Sequence, residues 1–199
     1  MRLRFSVILI LGCFAASMLF SQQQTRSFQG ITNSSQTFQF DQFSGLTLQS
    51  AEIRMSIAIR NGYLGLDNDA AFSQDIQAAA GVQISVRAGQ AILSNRDDQP
   101  LFSQIGTVYS EDVTLTGDNG DGPASVDLSA PDGKVIQPGA LQSDKTEQVG
   151  DSFLNLFQGN GSITLNIDFN NFFQMSDSQE VTQAGSPFEF DGEITVIYH

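Results

Sequence analysis

Four stretches of this chain alternate apolar and polar residues with a period of two, and that pattern constrains the fold more than any other feature. The first covers residues 53–59, where every second position is Ile or Met, and it ends at the turn residues Asn61-Gly62. The others are GVQISVRAG, GSITLNIDF and the closing EITVIYH. Such alternation buries one face of a β-strand and leaves the other in water.

Clusters of Gly, Asn and Asp separate these stretches, and no long segment has the 3.6-residue period of an amphipathic helix. Together these features predict an all-β fold, an antiparallel β-sandwich of the jelly-roll or immunoglobulin-like kind. Eighteen glycines suit many turns and sixteen phenylalanines suit a large core. Residues 70–79, rich in alanine, are the one place where a short helical turn is expected.

The first 21 residues, MRLRFSVILILGCFAASMLFS, have the layout of a secretory signal peptide: two arginines, an apolar run and a small residue before a polar segment. The apolar run at 5–20 is shorter than the roughly 20 residues that span a bilayer. An alternative is a lipid anchor on Cys13, because the preceding Ile-Leu-Gly resembles a lipoprotein cleavage box. Residues 22–36 then form a flexible arm or an edge strand, and residues 37–199 form the sandwich domain.

Composition excludes several classes of function for the mature chain. Cys13 is the only cysteine, so a processed chain has neither disulfides nor thiolate metal sites. The formal charge is −13, and it becomes −15 when Arg2 and Arg4 leave with the signal peptide. Such a surface repels phosphate backbones, so nucleic acid is not an expected partner, and the mature chain has no predicted membrane span. The acidity also has a simpler explanation, which is solubility outside the cell.

Catalytic constellations are sparse. His199 is the only histidine, so a Ser-His-Asp or Cys-His arrangement has no other base, and no catalytic residue is predicted. Glu189, Asp191 and Glu193 share one face of a predicted strand, which describes a solvated surface. A glycan hydrolase that uses two carboxylates is the third-ranked function.

Two acidic loops are candidate calcium sites, because Ca²⁺ takes six to eight oxygen ligands from carboxylates and carbonyls. In Asp118-Asn119-Gly120-Asp121-Gly122 the candidate ligands are Asp118, Asn119 and Asp121. The second loop is the segment DND at 67–69. Asn-Gly and Asp-Gly are also ordinary turn residues, so both loops equally suit plain turns.

Five segments, in order, give the chain a resemblance to a known family. They are FQFDQFSGLTLQSAEIRMSI, YLGLDNDA, VDLSAPDGKVIQPGA, FLNLFQGNGSITLNI and GEITVIYH. This series resembles the choice-of-anchor E domain, which has a Phe-Asp and Gly-x-Leu opening, an Asp-Asn segment, an Asp-Gly hairpin and a Thr-Val-x-Tyr closing strand. The likeness covers residues 38–199.

The resemblance implies an exported bacterial domain at the cell surface or in the matrix, with no catalytic residues to carry over. The given sequence ends at His199 without a C-terminal anchor signal, so release, retention by partners or a lipid on Cys13 is expected. The leading hypothesis is a non-enzymatic structural or adhesive module whose partners are extracellular proteins or surface polysaccharide. The runner-up is a carbohydrate- or calcium-dependent binding module, although the chain has no Trp and only three Tyr for stacking on sugars.

Overall fold

We describe the protein from a computed structural model. The structure describes residues 22–103, 107–120, 126–129, 131–137, 139–176 and 178–199. The predicted signal peptide at 1–21, Cys13 and Asp121 lie outside these residues.

Within the described residues the chain forms twelve β-strands and one short helix. The strands are β1 (Gln22–Ile31), β2 (Ser34–Asp41), β3 (Ala51–Arg60), β4 (Tyr63–Asn68), β5 (Gln74–Ala88), β6 (Ala91–Ile92), β7 (Thr107–Leu115), β8 (Gly133–Ile136), β9 (Leu141–Gln148), β10 (Ser162–Met175), β11 (Val181–Ser186) and β12 (Glu189–Tyr198). A 3₁₀ turn (Asp151–Phe153) leads into the one-turn helix α1 (Leu154–Phe157). All strand pairs are antiparallel, and the predicted all-β sandwich is confirmed.

The first layer of the sandwich is made of two sheets that follow one another in the same register and join at a bend at Asn61. Its lower half has the strand order β1-β12-β3-β9, and its upper half has the order β11-β4-β8. The register is continuous through the bend, since Arg60 lies opposite Glu189 and, three residues on, Tyr63 lies opposite Ser186. Asn61 occupies the left-handed region (φ 62°), which Asn tolerates better than most residues.

The glycine that follows Asn61 is required by the close approach of an aromatic ring. A Cβ at Gly62 would lie 2.2 Å from Cδ1 of Phe188, so a larger residue would displace the ring. Phe188 is fully buried beneath the bend. The Asn61-Gly62 pair therefore lets one long strand serve both halves of the layer.

The second layer has the order β2-β10-β5, with β6 and β7 both pairing along the far edge of β5. The helical turn predicted at 70–79 is wrong, because β5 begins at Gln74. Ala78 and Ala80 are completely buried on the inner face of β5, where small side chains meet the first layer. Tertiary packing on both sides of the strand overrides the helix propensity of alanine.

Aromatic rings from both layers meet at the centre of the core. Phe169 on β10 stacks against Phe190 on β12, with ring centroids 4.1 Å apart and an interplanar angle of 22°. Phe28 on β1 lies 5.4 Å from Phe169 and packs at an angle against Phe38 on β2. This cluster joins four strands, two from each layer.

Side chains close the side of the sandwich where edge strands β1 and β2 meet. The Gln24 side-chain NH₂ donates to the Asp41 backbone carbonyl (2.8 Å), and the Gln24 side-chain oxygen accepts from the Asp41 backbone N–H (2.9 Å). The Gln36 side-chain NH₂ donates to the Gln29 backbone carbonyl (2.6 Å). The Tyr198 hydroxyl also donates to the Asp41 carbonyl (2.7 Å), and burial, with the charge of Asp41, raises the pKa of Tyr198 to about 12. Residues 22–36 thus form an edge strand, a turn and the start of β2.

The opposite edge of the first layer, β9, carries charges on its inner side. Lys145 and Glu147 stand opposite Met55 and Ile53 of the core strand β3. The Phe102 amide donates to the Glu147 carboxylate (3.2 Å), which ties the loop after β6 to this edge. Inward charges on an edge strand oppose pairing with another chain.

Replacing Phe169 with alanine tests the aromatic cluster. We expect Phe169→Ala to lower the free energy of unfolding by about 3–5 kcal/mol, because it removes a fully buried ring and leaves a cavity between the layers. Urea unfolding measures the change. Phe72→Ala, which truncates a ring that is 54% exposed, is the control, with an expected change within about 0.5 kcal/mol. Equal effects of the two substitutions would contradict this account of the core.

Candidate functional site

The first predicted calcium loop is held by a buried carboxylate that the sequence analysis did not single out. Asp132 is fully buried and accepts two hydrogen bonds from Asn119, one from the backbone amide (2.8 Å) and one from the side chain (3.2 Å). The Asp118 carboxylate accepts from the Gly120 amide (2.7 Å), as in a common turn. Asn119 and Asp118 therefore shape the loop through bonds within the chain, and Asp121 lies outside the described residues.

The second predicted loop lies next to the first, and its residues also have structural partners. The Asp67 carboxylate, buried at the end of β4, accepts from the Asp127 amide (2.8 Å). Asp69 accepts from the Thr182 hydroxyl (2.7 Å). Asn68 donates its backbone amide to the Asp132 carbonyl (3.1 Å), so the two acidic loops form one connected corner of the fold.

The Asn68 side chain makes four hydrogen bonds within this corner. Its amide nitrogen donates to the carbonyls of Phe72 (3.0 Å) and Thr116. Its oxygen accepts from the Ala70 backbone (3.2 Å) and from the Gln74 side chain (2.6 Å). These bonds tie the end of β4 to the start of β5 and the end of β7.

In the described part of the chain, no group of three or more His, Cys, Asp or Glu side chains is arranged to hold a metal ion. Calcium at Asp118, Asn119 and Asp121 stays a prediction.

The outer face of the first layer carries the carboxylates that the sequence placed on one face. Arg60 forms ion pairs with Asp191 and, at 3.6 Å, with Glu189. Glu193 lines a depression of about 290 Å³ together with Arg54 and several Ser, Thr and Gln side chains. The imidazole of His199, the only histidine of the sequence, lies 3.6 Å from a carboxylate oxygen of Glu52 at one end of this face.

The outer face of the second layer holds a polar cluster centred on Asp168, a residue that the sequence analysis did not single out. The register places Asp168 of β10 between Ser35 of β2 and Ser85 of β5. Its carboxylate accepts from Ser35 (2.5 Å), Ser85 (3.1 Å) and Arg87 (2.8 Å). The only sequence signal was the polar phase of two alternating strands, which does not say which strands become neighbours.

The surroundings of Asp168 favour its charged form. Burial works to raise the pKa of Asp168, but hydrogen bonds from Ser35 and Ser85 and the charge of Arg87 together hold that pKa below its ordinary value. The cluster is therefore a permanent ion pair at neutral pH, with the side chain of Asp168 only 17% exposed.

The fold and its surfaces define an all-β sandwich with polar clusters on its two outer sheet faces and in one acidic corner. Among the described residues, no helix combines the length and the apolar composition needed to cross a bilayer.

No family model and no curated protein matches the chain. Among solved structures, the chain is similar to T=1 particles derived from infectious bursal virus, with 14% identity, 88% of this chain and 32% of that chain covered, and a TM-score of 0.20. A VP2 subviral particle of infectious bursal disease virus has 15% identity, 88% and 33% coverage, and a TM-score of 0.18. The chain thus spans about a third of the length of those proteins, and TM-scores this low support no inference. The resemblance to the choice-of-anchor E domain stays a prediction.

The acidic corner is tested by Asn68→Ala. We expect the free energy of unfolding to fall by about 3 kcal/mol, because buried carbonyl and amide groups lose their partners at a typical cost of about 1–3 kcal/mol each. Thermal unfolding followed by circular dichroism measures the effect. Asn155→Ala, on the exposed side of helix α1, is the matched control and should change stability by less than about 0.5 kcal/mol. A near-neutral Asn68→Ala would show that the corner does not depend on this side chain.

The Asp168 cluster predicts a specific pH dependence of stability. Because the pKa of Asp168 is lower in the folded state than in the unfolded state, its contribution is complete above the unfolded value of about 3.9 and is lost as the pH falls through the folded value. Wild type should therefore exceed Asp168→Asn in unfolding free energy at pH 7, with the difference shrinking below about pH 4. Asp98→Asn, at an exposed carboxylate, is the control. A difference that stays constant from pH 7 to pH 2 would refute the assignment.

Proposed function

We propose that this protein is an exported, non-enzymatic β-sandwich that serves as a structural or adhesive module at the cell surface or in the extracellular matrix. The observation that carries the proposal is that these polar side chains already have hydrogen-bond or ion-pair partners within the chain. Five of the acidic residues singled out in the sequence bond to neighbouring groups of the chain: Asp67, Asp69, Asp118, Glu189 and Asp191. Groups used in this way support the fold and its surface, whereas a catalytic carboxylate must remain free to meet a substrate.

The outer-face carboxylates support the non-enzymatic part of the proposal. A glycosidase needs one carboxylic acid and one carboxylate facing each other across a bound sugar. Glu189 and Asp191 instead share the guanidinium of Arg60 on an open sheet face. Both carboxylates lie on one strand, β12, rather than on opposite sides of a groove that could hold a sugar.

The edges of the sandwich bear on how such a module would contact its partners. The β1 and β2 edges are joined by Gln24 and Gln36, and the β9 edge carries the inward-facing Lys145 and Glu147. Covered or charged edges disfavour growth by strand addition. Contacts through the outer faces and end loops are therefore the better-supported mode of adhesion.

Intact mass and fractionation of the protein from its native host test the proposed export. We expect a soluble extracellular product that begins near Gln22, because the leader has the layout of a cleaved signal peptide. A Cys13→Ala variant should fractionate in the same way. A membrane-bound product with a lipid on Cys13, lost in Cys13→Ala, would replace secretion with surface anchoring. A cytoplasmic product that keeps residues 1–21 would refute export altogether.

A further inference from the structure

The centre of the second layer's outer face is a regular polar array made by three strands. Two cross-strand rows define it, Ser35-Asp168-Ser85 and Thr37-Asn166-Arg87, and these six residues are called the central patch. The six side chains are three hydroxyls, one amide and the two members of one ion pair, and all of them lie on the outer face, where a ligand can meet them. The buried partners on the opposite face, such as Ile167 and Val86, hold the strands flat against the core.

The central patch has no net charge in a chain whose formal charge is −13. Its single acid, Asp168, is paired with its single base, Arg87, at 2.8 Å. The outer face of the first layer differs, since Glu189, Asp191 and Glu193 follow one another there along β12. A polyanion would be repelled by the chain as a whole, and a polycation would find more acidic groups on the first layer. The central patch is matched in charge to a neutral ligand.

Hydrogen bonds hold the side chains of the central patch in place before any ligand arrives. The Thr37 hydroxyl donates to the Asn166 side-chain oxygen (2.8 Å), so the Asn166 NH₂ group is the part of this amide that can donate to a ligand. Ser35 and Ser85 are fixed on Asp168. Ordered donors and acceptors lose little rotamer entropy on binding, and hydroxyl-rich ligands need such groups of both kinds.

An aromatic ring lies on the same face, farther along β10. Phe172 has the same strand phase as Asp168 and is partly exposed, and the residue opposite it, Gly81, has no side chain to cover the ring. Four residues of strand place Phe172 about 13 Å from Asp168. A ring next to polar groups can stack on the apolar face of a sugar while its hydroxyls reach donors nearby. The distance between Phe172 and Asp168 suits a ligand of several linked sugar rings better than a single sugar.

We propose that the second layer's outer face, through the central patch and Phe172, binds a neutral polysaccharide chain. This inference rests on the proposed adhesive function and names the class of ligand that the adhesion would use. Asn166 and Arg87 donate to sugar hydroxyls, Ser35 and Ser85 line the path of the chain, and Phe172 stacks on one ring. No bond is made or broken.

Affinity electrophoresis of the purified full-length mature protein tests the proposal, in gels containing hydroxyethyl cellulose or galactomannan as neutral probes and alginate as an anionic probe. We expect retardation by at least one neutral probe and none by alginate. Asn166→Ala and Phe172→Ala should each weaken the association constant by about tenfold, which corresponds to about 1.4 kcal/mol. The matched controls are Gln142→Ala, an exposed amide on the first layer, and Phe72→Ala, an exposed ring outside both faces, and both should bind as wild type.

Two results would overturn the inference: no retardation by either neutral probe, or equal retardation of wild type, Asn166→Ala and Phe172→Ala. Melting temperatures of all variants show whether a lost interaction reflects unfolding. Gln83 and Asn170 are an exposed cross-strand pair on the same face, between Asp168 and Phe172. The double variant Gln83→Ala with Asn170→Ala should therefore also weaken binding. Binding of the labelled protein to intact host cells separates this inference from the proposed function. Cell binding without polysaccharide binding leaves adhesion standing and refutes the ligand, whereas loss of both refutes both.

Discussion

Contact between Phe169 and Phe190 couples the two layers of this sandwich, and the other features of the fold depend on it. The rings lie 4.1 Å apart, one on β10 and the other on β12. Cys13 is the only cysteine of the sequence, so no disulfide within the chain can link the layers, and stability must come from packed apolar area. Because β10 and β12 are inner strands of their layers, a ring pair between them aligns both sheets and directs the opposite side chains of each strand outward.

The bend of the first layer extends this core to the upper half of the molecule. The strand register does not change at Asn61-Gly62, so β4 pairs with β11 and β8 in the same register in which β3 pairs with β12 and β9. Phe188 fills the space beneath Gly62, and Asn68 ties the far end of β4 to its neighbours. The acidic corner is thus a structural consequence of the bent layer, and its carboxylates satisfy backbone groups that would otherwise lack partners.

Much of the strand content was predictable because alternation is a local property. The alternate apolar residues of three predicted strands are buried as their pattern indicates: Ile53, Met55, Ile57 and Ile59 of β3, Ile163, Leu165, Ile167 and Phe169 of β10, and Ile194 and Val196 of β12. The helical turn expected at 70–79 was wrong, since those alanines lie between two neighbouring strands and small size mattered more than helix propensity. Helix α1 was not anticipated, because a single turn has too few residues to show a period.

The sequence by itself determined that the chain is β-rich, that its core is made of Phe, Ile, Leu and Val without disulfides, and which phase of each alternating strand turns inward. These properties depend on neighbours along the chain. Only the tertiary structure decided that Asn119 meets Asp132, and that Ser35, Ser85 and Arg87 converge on Asp168. The physical reason is that strand order and register bring together residues far apart in the chain, and no local pattern specifies that pairing.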